Sequence, residues 1–88
     1  MNPALRTALD HPHPSVAKIA TDTRARMVAM WEHHAARYEQ QAEHSERLAQ
    51  QFRAGGNGAA ALRHTREALA KWNQAAQARL HADFWRPE

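Results

Sequence analysis

An all-α chain folded as an antiparallel helical hairpin is what this sequence predicts, and three observations carry it. Helix formers dominate: Ala is the commonest residue, with Glu, Gln, Arg and Leu behind it, while Val16, Val28 and Ile19 are the only β-branched aliphatics. Two long segments free of Pro and Gly, residues 15–54 and 59–86, each repeat apolar or small residues at helical spacing. Between them stands Gly55-Gly56-Asn57-Gly58, a stop followed by a start.

Taken in order, Asn2-Pro3 suits a helix start, and Ala4, Leu5, Ala8 and Leu9 make the apolar edge of a short helix ending near Asp10. His11-Pro12-His13-Pro14 reads as a stiff connector, because each residue before a proline is pushed toward extended geometry. Ser15 is the expected N-cap of the long helix, although Lys18 stands where a capping box needs Glu or Gln. Thr21-Asp22-Thr23 is its weakest point, since all three residues favour caps over helix interiors. Along this helix Met27, Trp31, His34, Tyr38, Gln41, Ser45, Leu48 and Phe52 alternate steps of four and three, a coiled-coil seam. The C-terminal helix spans residues 58–85, with Leu62, Thr65, Leu69, Trp72, Ala76 and Leu80 expected on its inner side and Pro87 as its stop. The chain thus divides into a short helix and connector (1–14), a long helix (15–54), a turn (55–57) and a second long helix (58–85), all in one domain.

A turn this short makes the long helices antiparallel neighbours. Centred on Gly55, it opposes residues whose numbers sum to about 110, so Leu48 meets Leu62, Tyr38 meets Trp72 and Met30 meets Leu80. Ala35, Ala42 and Ala49 repeat every seven residues, as do Ala61, Ala68, Ala75 and Ala82, and the two series fall in register. Small residues in register permit close helix approach. Residues 15–24 overshoot the second helix, leaving Val16, Ile19 and Ala20 for the short helix, or for a second copy, to cover.

An 88-residue chain sits near the lower limit for a self-sufficient core. Three Trp, one Tyr and two Phe exceed what one two-helix seam covers, and aromatics are favoured interface anchors. The expected architecture is therefore a homodimeric four-helix bundle, with Met27, Trp31, His34, Tyr38, Trp72 and Trp85 as its interface. The expected role is a non-enzymatic interaction protein: an adaptor, chaperone or inhibitor whose partners are itself and another protein.

Other classes find less support. The net charge of +3 is spread along the chain, with residues 1–31 and 59–88 each at +2 and the middle at −1. Although ten of the twelve basic residues are Arg, no concentrated basic face emerges, which leaves nucleic-acid binding a minor alternative. Without cysteine there is neither a disulfide framework nor a thiolate metal site. No apolar run approaches the ~20 residues of a membrane span, so a cytoplasmic, membrane-free protein is expected.

The seven histidines are the compositional oddity. They support metal or small-ligand binding by His and Glu as an alternative, with His44, Glu43 and Glu67 the nearest grouping. No His-Glu-x-x-His or Glu-x-x-His occurs, however, and no metal site or cofactor is expected. Glu32, Glu39, Glu43 and Glu46 form one stripe, read as a solvated face because carboxylate catalysis needs burial. No nucleophile has a motif-placed base, and the glycine turn lacks the Lys-Ser/Thr of a phosphate loop, so no catalytic residue is assigned.

A Gly-Gly turn between charged amphipathic helices is similar in outline to the small chaperone subunits of type III secretion. It also resembles secreted helical hairpins with a Trp-x-Gly turn. Here the turn lacks tryptophan, and neither Trp31, Trp72 nor Trp85 is followed by x-Gly. No family follows from the outline.

Overall fold

The computed structural model describes residues 3–10 and 13–87. Within them lie three helices and no strand: α1 (Pro3–Leu9), α2 (Pro14–Ala54) and α3 (Gly58–Trp85). The expected cap Asn2 and the connector residues His11 and Pro12 lie outside the described residues.

α2 starts at Pro14 rather than after a Ser15 cap. Pro14 holds His13 in extended geometry (φ −81°, ψ 119°), the conformation of an N-cap, and suits the first helical position because it has no N–H to lose. His13 Nδ1 then accepts from Ser15 N at 3.3 Å, so the imidazole takes the capping role and Ser15 becomes helical. The helix runs unbroken through Thr21-Asp22-Thr23. There Thr21 Oγ1 donates back to the Ala17 carbonyl at 2.9 Å, and Lys18 pairs with Asp22 one turn on.

Reversal follows a Schellman pattern. Asn57 N donates to Phe52 O at 2.8 Å and Gly56 N to Arg53 O at 3.1 Å. Gly56 carries the left-handed turn at φ +80°. Asn57 then caps α3 by accepting from Ala60 N at 3.1 Å. Antiparallel packing of α2 on α3 dominates the tertiary structure, and α1 lies on the N-terminal end of α2.

The seam is made of small residues. Ala35, Ala42 and Ala49 on α2 and Ala61, Ala68, Ala75 and Ala82 on α3 are all buried, joined by Ser45, Ala60 and Ala78, while the buried Ala20 lies where α1 folds over the start of α2. Both heptad alanine series therefore lie in the contact. The leucines do not: Leu62, Leu69 and Leu80 are 51%, 64% and 63% exposed. This corrects the expected inward placement of Leu62, Leu69, Ala76 and Leu80 and the pairings of Leu62 with Leu48 and Leu80 with Met30, while Thr65 and Trp72 of the same expected face are half-buried. Alanine faces let the backbones close toward ~8 Å, and rotating α3 to bring leucine inward would wedge them apart.

The molecule is a rod of 65 × 16 × 14 Å. Its Cα radius of gyration is 19.2 Å, against about 12 Å for a compact chain of this length. With two helices in contact and no third layer over them, half of each helix faces outward.

Candidate functional site

At roughly 100° per residue, Leu62, Leu69, Asn73, Ala76, Leu80 and Phe84 fall within an arc of about 80° on α3. The buried alanines of α3 lie on the opposite side. Every member of this outer arc is exposed, Phe84 by 46%. The outer face of α2 differs: Lys18, Gln40, Glu43, Arg47 and Gln50 occupy it, as expected of a solvated helix face. One hairpin thus presents a polar back on α2 and, on α3, a leucine stripe interrupted by Arg66 and Asn73.

All six aromatic-centred positions assigned from sequence to an interface are half-buried, and five of them have partners within the chain. Trp31 stacks on His81 (centroids 4.3 Å apart, planes at 19°) and meets His34 edge-on at 5.7 Å. Its Nε1 is buried and finds no hydrogen-bond acceptor among the described residues. Lys71 Nζ lies 5.5 Å from the centre of the Tyr38 ring. Trp72 Nε1 donates to Glu46 Oε1 at 2.5 Å. Trp85 meets Phe84 edge-on at 5.8 Å and closes an open groove of about 350 Å³. That groove, lined also by Leu5, Ala8, Val16, Ile19 and Ala20, is where α1 folds over the overshooting start of α2. Met27 is half-buried on the same side of α2 as Trp31.

The two edges of the rod differ in how their charges are paired. Along one edge Glu32 pairs with Arg86, Glu39 with Arg79 and Glu46 with the Trp72 indole. These glutamates repeat every seven residues, so three of the four in the stripe read as a solvated face form an interhelical ladder, and Glu43 stays on the outer face of α2. The other edge has a shallow depression lined by Arg37, Gln40, Gln41, His44, Ser45 and Lys71, with no carboxylate in its lining. His44 therefore sits among amides and cations. Glu67 instead contacts His64 Nδ1 at 3.0 Å. Among the described residues no three His, Asp or Glu side chains converge as metal ligands, and no helix is long and apolar enough to cross a membrane.

Sequence reasoning missed the outward role of Leu62, Leu69, Leu80 and Phe84, and a signal for it was present. On α3 the alanine series (61, 68, 75) and the series begun by Leu62 and Leu69 are one residue apart, about 100° around the helix. Both cannot be centred on one neighbour, and the alanine series is the one matched on α2 by small residues of equal period, Ala35, Ala42 and Ala49. Comparison with known proteins adds no assignment: no protein-family profile, curated protein or solved structure gives a significant match.

Proposed function

We propose that this chain is a non-enzymatic protein–protein interaction module, acting as a helical-bundle homodimer and as an adaptor, chaperone or inhibitor toward another protein. The outward leucine stripe of α3 carries the reading. Three leucines and a phenylalanine recur at helical spacing on the outer side of α3 and stay about half to two-thirds exposed, while the outer face of α2 carries Lys18, Gln40, Glu43, Arg47 and Gln50. Covering each remaining half to two-thirds of a leucine is worth about 1–2 kcal/mol, so the face gains several kcal/mol when another surface takes it up. Aligned apolar stripes of this kind mark interaction sites, whereas scattered single leucines do not.

Sedimentation equilibrium across a concentration series tests it. The expected result is a reversible rise from the 10.0 kDa chain mass to twice that value. Leu69→Glu with Leu80→Glu should hold the protein at the lower mass with unchanged helical circular dichroism. A monomer up to about 500 µM would sink the homodimer reading, since association weaker than that supplies less than about 5 kcal/mol.

A further inference from the structure

We infer that the two copies meet α3 to α3, antiparallel, with Arg66 of each protomer set against Asp83 of the other. The inference rests on the homodimer reading above and specifies its surface and register. Along the outer face the residues Leu62, Arg66, Leu69, Asn73, Ala76, Leu80 and Asp83 alternate steps of four and three, the spacing of a coiled-coil seam. All seven are exposed. Arg66 has no carboxylate partner among the described residues. Among the described residues the Asp83 carboxylate pairs with Arg86, at 3.3 Å, and its side chain is 66% exposed.

The order of residues along this face selects the arrangement. When two copies run antiparallel so that facing numbers sum to 149, Arg66 opposes Asp83, Leu69 opposes Leu80 and Asn73 opposes Ala76, each twice. Charge meets opposite charge, leucine meets leucine, and the amide sits beside a small side chain at the two-fold axis. A parallel pair would instead oppose Arg66 to Arg66 and Asp83 to Asp83, and like charges in a seam oppose association. Sliding the antiparallel pair by one heptad keeps a leucine pair, Leu62 with Leu80, but sets Leu69 against Asn73 and Arg66 against Ala76, so the guanidinium loses its carboxylate. The matched stretch from Arg66 to Asp83 spans about 26 Å of helix about 10 Å across. That footprint is well short of the ~800 Å² per partner of a standard interface, which puts the association among weak, transient ones.

The test is sedimentation equilibrium from about 1 µM to about 500 µM on five samples, wild type included, each checked for native helicity by circular dichroism. Arg66→Asp and Asp83→Arg should each weaken self-association by roughly tenfold or more, since each creates two like-charge contacts. An equimolar mixture of the two, and the double variant R66D/D83R, should both recover wild-type affinity. Because the chain has no cysteine, Leu69→Cys mixed with Leu80→Cys gives a readout independent of charge, and mild oxidation should join position 69 to position 80. Preferential 69–69 linkage, or loss in the single variants without recovery in the double, overturns the register. Dimerisation of both single variants at wild-type strength overturns the surface while leaving the homodimer standing. A wild-type protein monomeric throughout removes both.

Discussion

Substituting Leu for Ala42 should damage this protein more than removing a leucine from it, an inversion of the usual hydrophobic order. Ala42 is 0% exposed at the middle of α2, within the alanine seam. Leucine adds three carbon atoms there, between helices brought close by small residues on both sides. The added volume must spread the helices or force a poor rotamer, at about 1–3 kcal/mol. Spreading also loosens the buried contacts of Ala35 and Ala49, one heptad away on either side, so the upper part of that range is expected. For a chain of this size, about 2 kcal/mol lowers the melting midpoint by about 8–16 °C.

Leu69→Ala is the control. Leu69 is 64% exposed, so truncation removes roughly a third of a leucine burial, under about 1 kcal/mol in the monomer. The assay is thermal melting by circular dichroism at low micromolar concentration, where association contributes little. At high concentration L69A should fall further behind wild type, because it also weakens the dimer whose formation raises the midpoint. An A42L midpoint within about 2 °C of wild type at low concentration would show that the seam is not limited by side-chain size. So would an L69A loss as large as that of A42L.

Two further stability tests follow from the turn and the ladder. Gly56→Ala forces a Cβ into φ +80° and should cost about 1 kcal/mol, whereas at Gly58 an added Cβ meets nothing within 4 Å and Ala should gain up to about 1 kcal/mol. Urea titration reads both, and a stabilising G56A would refute the Schellman assignment. Glu39→Gln should cost less than about 1 kcal/mol despite the Arg79 contact, because the Arg79 and Glu39 side chains are 53% and 29% exposed and solvent screens the pair. Its cost should shrink toward zero by about 1 M salt, and a large salt-independent loss would mean that the ladder is structural rather than electrostatic.

Much of the fold could be read before any coordinates, because it rests on local chemistry. Helix content follows from the residue types, the reversal from Gly56 and Asn57, and the closeness of the seam from alanines repeating every seven residues. The one local misreading, the start of α2, turned on a competition between Ser15 as a capping side chain and Pro14 as a first helical residue. The proline prevailed because its ring sets the backbone of His13 as well as its own.

Tertiary structure alone decided which way α3 faces. Periodicity is a property of one helix and identifies stripes, but facing is a relation between two helices and depends on which stripes fit together. Ranking residues by hydrophobicity favours Leu62, Leu69 and Leu80 for the seam, and Ala61, Ala68 and Ala75 win it because α2 offers alanines to match. The same rotation brings Glu39 to Arg79 and Glu32 to Arg86 across 40 and 54 residues of sequence. It also leaves the leucines outside, where packing two backbones closely has made an apolar surface that the hairpin itself cannot cover.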